Sequence, residues 1–388
     1  MSESPGIPGG ATTLSNADQP DGRRRRRTIG QVFDGRRNAL NAWRLTLALG
    51  VIVWHSYKLT GRDVYYPPAR QLLSEIWVDG FFAISGFLIT SSWLRDPRMR
   101  DYVVARGLRI LPGFHTCLIV TAFVIAPVGV AIHGGSAAKL LLSRAPFEYV
   151  VKNSAVSMLQ FDIGGTPHGI PWPGAWDGSL WTLGYEMFCY VAVAALGVVG
   201  LLSRRWLLPA VMALCFPAVL LSTVVGLPTI AHDGLRFVVM FVAGALLNQY
   251  RDVIPARWSL VAVSVVIVLV ASLLPDYRLV AALPLAYAII VSGALVPSKR
   301  FRLRTGLSYG MYIYAFPIQQ LLVICGLGSM NLVVFAVIAT VATLPLAALS
   351  WFVIEKPAMS LKSRLKRKGS VGAVTRQPGQ TVSGGTTG

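Results

Sequence analysis

Two ionisable side chains, Arg44 and His55, lie within the first long apolar segment of the chain. A charged group inside a bilayer is costly, so each one needs a partner or a function. At about 100° per residue, the spacing brings both side chains within ~20° of one helix face, ~16 Å apart along the axis. An imidazole suits proton transfer near neutral pH, and a guanidinium suits anion binding. The spacing therefore predicts a polar helix face that joins a cation to a base.

Four further ionisable residues lie in or beside later apolar segments. Asp79 stands at the start of one segment, where the helix dipole tolerates an acid. Arg106 and Arg109 are spaced to share a helix face, and such a pair of cations suits phosphate. Glu186 lies about two turns inside another segment, at a predicted depth like that of His55. The simpler alternatives are membrane anchoring for the arginines, an interfacial imidazole and a structural ion pair at the glutamate.

The elements that position these residues are apolar segments, which make up most of the chain. Of its 388 residues 54% are hydrophobic and only 14% are charged, and the mean hydropathy is +0.57. Soluble globular proteins carry about 25% charged residues. The composition excludes a soluble enzyme, a disordered chain and a disulfide-stapled secreted fold. We predict an all-α polytopic membrane protein with about ten transmembrane helices of roughly 20 residues each. The segments are 39–57, 76–93, 107–131, 179–198, 206–223, 235–249, 258–274, 279–296, 305–326 and 331–352.

The net charge of +19 is concentrated in the tails and in alternate loops. The positive-inside rule therefore predicts that both termini are cytoplasmic, in a multi-pass protein of the plasma membrane. We divide the chain into a disordered basic tail (1–37), a membrane domain (38–358) and a second disordered basic tail (359–388). The tails suit contact with anionic membrane lipid better than nucleic acid, for which the chain has no binding domain. The dispersed Cys and His residues predict no metal site.

The longest loop on the opposite side, 132–178, contains Trp172 and Trp176 among Gly, Pro and His residues. Tryptophans at this position are typical of an interfacial belt, which is the favoured interpretation. The alternative is an aromatic platform on which sugar rings stack.

The order and spacing of these motifs resemble the acyltransferase-3 family of integral membrane O-acyltransferases over about residues 38–358. The resemblance is carried by Arg44 with His55, Asp79 to Ile89 including Phe81-Phe82 and Ser85-Gly86, Arg106 with Arg109-Ile110, Ser179-Leu180-Trp181 through Glu186, Ser308-Tyr309 through Pro317, and Phe352 to Pro357.

Three positions depart from the pattern of that family. Met187 follows the glutamate where a second acid is common, and Asn41 stands where an aspartate is common. Ala315 replaces a histidine that many members have in the ninth span, so a mechanism through that histidine is unavailable. The sequence shows no counterpart of the esterase domain fused to some members, so we expect the membrane domain to transfer the acyl group directly.

The resemblance implies transfer of an acyl group, with acetyl expected, from acyl-CoA to a carbohydrate hydroxyl. No permanently bound cofactor is expected. In this interpretation Arg44, Arg106 and Arg109 hold the CoA phosphates, and His55 is the general base. Either Glu186 or Asp79 orients the imidazole or the acceptor. A surface polysaccharide, a glycolipid, peptidoglycan or a glycosylated metabolite remains open as the acceptor.

A transporter or flippase for a lipid-linked sugar is the alternative function, because intramembrane charges and the proline-broken ninth span suit it equally. Such proteins often consist of two similar halves, and no internal repeat is visible here. The enzyme is therefore favoured.

Overall fold

The computed structural model describes residues 27–35, 37–225, 228–296 and 306–361, and these parts are helical with no β-strand. The helices are α1 (Ile29–Val32), α2 (Leu40–Leu59), α3 (Pro67–Arg95), α4 (Met99–Val120), α5 (Ala126–Ile132), α6 (Ala137–Leu142), α7 (Ala145–Asn153), α8 (Trp181–Val198), α9 (Leu207–Val225), α10 (Thr229–Gln249), α11 (Trp258–Ala271), α12 (Arg278–Leu295), α13 (Leu307–Ile324) and α14 (Leu332–Ser350). Two π-helical turns, Thr121–Ile125 and Trp351–Glu355, extend α4 and α14.

Helices occupy most of each of the ten segments that the sequence predicts to be apolar spans, as far as these segments are described. Among the described residues, seven of these helices are long and apolar enough to cross a membrane, which confirms a helical polytopic fold. The other three are α2 and α10, which carry ionisable residues, and α11, which has only 14 residues.

Helix α3 is packed against α10 along much of its length, and glycines allow the two backbones to approach closely. A Cβ atom on Gly86 would lie 1.9 Å from the carbonyl oxygen of Phe241, and one on Gly244 would lie 1.9 Å from that of Ala83. Gly86 of the Ser85-Gly86 pair therefore serves close packing of the two helices. This contact fixes the position of the α3 residues that line the site.

The segment 154–180 folds back onto the helices before α8 begins. Gln320 of α13 donates hydrogen bonds from Nε2 to the carbonyl oxygens of Trp172 (2.9 Å) and Ala175 (2.7 Å). Trp176 is fully buried, and its Nε1 donates to Thr166 Oγ1 at 3.1 Å. Of the two loop tryptophans, Trp176 therefore belongs to the core, whereas Trp172 is 43% exposed.

Residues 27–35 have a defined position, which differs from the disorder predicted for all of 1–37. The fully buried Ile29 begins α1, and its amide donates to the carbonyl oxygen of Ile254 at 3.0 Å. An apolar side chain within a basic segment explains this docking, because its burial is favourable. Residues 1–26 and 36, and most of the predicted C-terminal tail (362–388), lie outside the described residues.

Candidate active site

Three adjoining cavities follow the polar face of α2. The largest, here called the vestibule, has a volume of about 1150 Å³ and lies beside the 154–180 segment, α8 and α10. The middle cavity has about 220 Å³ and the arginine cavity about 60 Å³. The vestibule and the middle cavity share Trp54, His55, Gly178, Trp181 and Phe237.

The middle cavity and the arginine cavity meet at a shared wall, here called the septum, formed by Val78, Thr182 and Tyr312. Tyr312 donates a hydrogen bond from its hydroxyl to the carbonyl oxygen of Ser179 at 2.9 Å, and a hydrogen bond of 2.5 Å joins it to Thr182 Oγ1. Phe81 packs edge-on against the Tyr312 ring, with centroids 5.6 Å apart. The three cavities therefore lie in a row, and the septum separates the middle cavity from the arginine cavity.

His55 lies where the vestibule meets the middle cavity. Its ring packs edge-on against Phe316, with centroids 5.0 Å apart. The Nδ1 atom is buried and has no hydrogen-bond partner in the described part of the chain. Within the same residues, no hydrogen bond joins the imidazole to Asp79 or Glu186, the two acids that the sequence offers for its orientation.

The arginine cavity brings Arg44 and Arg109 together with Ser85 and Glu186. Glu186 Oε1 accepts hydrogen bonds from Ser85 Oγ at 2.8 Å and from the Tyr190 hydroxyl at 2.5 Å. The predicted depth of Glu186, level with His55, is wrong. Helix α8 begins at Trp181 beside His55, and five further residues carry the glutamate ~7.5 Å along the helix.

Arg106 does not itself line the arginine cavity. Its guanidinium lies 5.9 Å from the ring centroid of Tyr102 and 6.0 Å from that of Tyr190, distances typical of cation–π contacts. Its Nη2 donates to Ser92 Oγ at 3.4 Å. Because Tyr190 also donates to Glu186, one tyrosine connects Arg106 to the wall of the arginine cavity.

Asp79 is fully buried in an ion-pair network on the side of α3 that faces α12. Its Oδ2 accepts from Arg278 Nε at 2.6 Å and from the Tyr277 hydroxyl. Arg278 also donates to Asp276 Oδ1 at 3.0 Å and to Glu75. A buried acid that pairs with an arginine and accepts a hydrogen bond from a tyrosine in this way is typical of a structural element of the bundle.

Arg236 is a polar residue of the site that the sequence reasoning missed. It projects from α10 into the middle cavity beside His55 and Glu75. The available signal was an arginine within a predicted span, the same signal that identified Arg44. It was overlooked because no spacing rule connects α10 to α2.

The arrangement places two cations at one end of a path through the helices and an imidazole at the other. No cluster of three or more metal-ligating side chains occurs among the described residues. Cations can hold an anionic donor, and a base can activate a hydroxyl at the far end of the same path. These are the requirements of a membrane enzyme that transfers a group between two substrates.

Comparison with known proteins identifies the group. The profile described as "Acyltransferase domain" matches residues 37–352, and the chain belongs to this acyltransferase-3 family. It is 27% identical over 349 residues to an O-acetyl transferase of Shigella phage Sf6, which covers 84% of this chain and 97% of the relative. It is 26% identical over 370 residues to nodulation protein 10 of Rhizobium leguminosarum bv. viciae, covering 85% and 95% of the two chains. No solved structure matches significantly.

The chain is therefore an O-acyltransferase, which confirms the class of enzyme predicted from the sequence.

Proposed function

We propose that the protein transfers an acetyl group from acetyl-CoA to a carbohydrate hydroxyl, with His55 as the general base. The observation that carries the proposal is the line of three adjoining cavities from Arg44 and Arg109 to His55. The name of the phage relative, an O-acetyl transferase, supports acetyl as the group.

The arginine cavity is the proposed entrance for the donor. The guanidinium groups of Arg44 and Arg109 would bind CoA phosphates, and Arg106 would add positive charge behind Tyr190. The arginine cavity holds only about 60 Å³, so the pantetheine arm must displace the septum to reach the middle cavity. The donor would then present its thioester beside His55.

The vestibule is the proposed acceptor site. Its wall includes the aromatic rings of Trp54, Trp172, Trp181 and Tyr185. Such rings bury large apolar area and offer polar edges, which suits the faces and hydroxyls of a sugar. His55 lies at the inner limit of the vestibule, where a bound hydroxyl would meet the thioester.

The basic tails and loops support a ten-span topology in the plasma membrane with both termini in the cytoplasm. Such an orientation would place the arginine cavity on the side where acyl-CoA is available. The acceptor would then be modified from the opposite side.

The test uses purified protein in detergent with radiolabelled acetyl-CoA and an envelope extract from a strain that lacks the gene. We expect release of the CoA thiol and base-labile label in the carbohydrate fraction. A protein that binds the extract but neither releases thiol nor transfers label would support the transporter alternative instead. Heat-denatured protein serves as the control for chemical hydrolysis.

A further inference from the structure

Arg236 and His55 line the same cavity, the middle cavity. Among the described residues that line this cavity, Arg236 is the only Lys or Arg. Its side chain is 12% exposed, so it is largely withdrawn from solvent yet open to the cavity. In such an environment a charge acts more strongly than it does in water.

The guanidinium of Arg236 is held from several directions. Its Nη1 donates to Asp233 Oδ1 at 3.1 Å, and its Nε lies 3.9 Å from Asp79 Oδ1. Its central carbon lies 4.8 Å from the centroid of the Phe237 ring. The Phe237 ring is in turn stacked on Phe82, with centroids 4.3 Å apart. The orientation of the guanidinium is therefore set before any substrate binds, as electrostatic catalysis requires.

Arg278 provides the contrast within the same network. It is 1% exposed, is paired with three carboxylates and lines none of the three cavities. Ion pairing alone accounts for Arg278. It does not account for Arg236, which donates a hydrogen bond to only one carboxylate, that of Asp233, and lines the middle cavity together with His55.

We propose that Arg236 is a catalytic residue that donates hydrogen bonds to the oxyanion formed on the thioester carbonyl; this inference rests on the proposed function. In this step the acceptor oxygen bonds to the thioester carbon while its proton passes to His55. The carbonyl π pair moves onto oxygen, and this charge is stabilised by the guanidinium. The double bond then re-forms, the carbon–sulfur bond breaks, and the CoA sulfur leaves with the bonding pair and takes the proton from His55.

Recognition of an anionic group on the acceptor is the competing role. Glu75 also lines the middle cavity, and Asp233 and Asp79 already face the guanidinium. These carboxylates repel any anion in the cavity, whether it is bound or forms during the reaction. The two roles differ in their kinetics: loss of acceptor recognition would raise the half-saturating acceptor concentration, whereas loss of an oxyanion donor acts on the transition state and lowers kcat.

The experiment compares Arg236→Gln and Arg236→Lys with the matched control Arg278→Gln, using purified protein, acetyl-CoA and the envelope extract. Loss of one oxyanion donor typically lowers kcat by about 10²–10³-fold. In Arg236→Gln we expect the rate of CoA-thiol release to fall by this factor. The KM for acetyl-CoA, the half-saturating extract concentration and the melting temperature should stay near their wild-type values. Arg236→Lys should recover part of kcat. Arg278→Gln should instead lower the melting temperature and the yield.

A free guanidinium ion provides the second measurement. Arg236→Ala should regain thiol release in a saturable manner when guanidinium chloride is added at low, non-denaturing concentration, and Arg278→Ala should not. A folded Arg236→Gln protein with kcat within about threefold of wild type would overturn the inference. An Arg236→Gln protein whose half-saturating extract concentration rises while its kcat is unchanged would also overturn the inference. So would Arg236 variants that fail to fold and regain no thiol release with guanidinium. If the wild-type protein itself releases no thiol, the proposed function fails rather than the role of Arg236.

Discussion

Replacement of His55 by alanine separates a catalytic imidazole from a structural one. Loss of a general base lowers the rate by about 10²–10⁴-fold, or roughly 3–5 kcal/mol of transition-state stabilisation. The effect on folding should be small because two terms oppose each other. The edge contact with Phe316 is worth about 0.5–1.5 kcal/mol, whereas the buried, unpaired Nδ1 costs about 1–3 kcal/mol. We therefore expect a protein that is folded but inactive.

The assay measures thiol release from acetyl-CoA together with thermal unfolding in the same detergent. His133→Ala is the matched control, because this exposed histidine packs beside His168 and lies outside the vestibule. It should retain the wild-type rate and stability. A folded His55→Ala protein whose rate stays within about tenfold of wild type would refute the role of His55 as general base.

Four other outcomes follow from the positions of the charged residues. Arg109→Ala should raise the acetyl-CoA KM more than Arg106→Ala does, because only Arg109 lines the arginine cavity; equal effects on KM would contradict this assignment. Glu186→Gln removes a negative charge from beside Arg44 and Arg109 and should therefore lower the donor KM; a base-orienting role would lower kcat instead. Asp79→Asn breaks a buried pair at a cost of about 3–5 kcal/mol, so thermal unfolding should begin at lower temperature. In the 154–180 segment, burial raises the pKa of the Asp177 carboxyl to about 7. The stability that this group contributes is full below its unfolded pKa near 3.9 and is lost as pH rises through 7, so the melting temperature should fall over this range. Asp177→Asn should make the melting temperature depend less on pH there.

The fold was predictable because length and hydropathy are properties of single segments. Each of the ten expected spans corresponds to a helix, and the boundary errors have local causes. Helix α3, for example, begins at Pro67, whereas the apolar pattern begins only at 76. Its first turns carry Gln71, which donates to the carbonyl oxygen of Pro275 in the turn before α12, and Ser74 and Glu75, which line the middle cavity. Glu75 also pairs with Arg278 of α12, so these positions do not need to be apolar.

The site was only partly predictable, because a helical spacing relates residues on one helix alone. Arg44 and His55 share a face of α2, and the cavities follow that face as expected. The partners of Asp79 come from α12, about 200 positions away in the chain. No rule of periodicity joins residues so distant, and for the same reason Arg236 went unnoticed and Glu186 was assigned the wrong depth.

The cost of burying charge distinguishes the two kinds of ionisable residue in this bundle. Asp79 and Arg278 are fully buried, pair with each other and line none of the three cavities, so their mutual attraction offsets part of this cost within the fold. Among the described residues, Arg44, Arg109 and His55 form no salt bridge with a carboxylate, and all three border the adjoining cavities. A protein that retains such groups inside a membrane must offset their cost with a polar substrate or with water. The same criterion assigns Arg236 to the second kind, because its partial pairing leaves the guanidinium facing the space where the acyl group and the imidazole would meet.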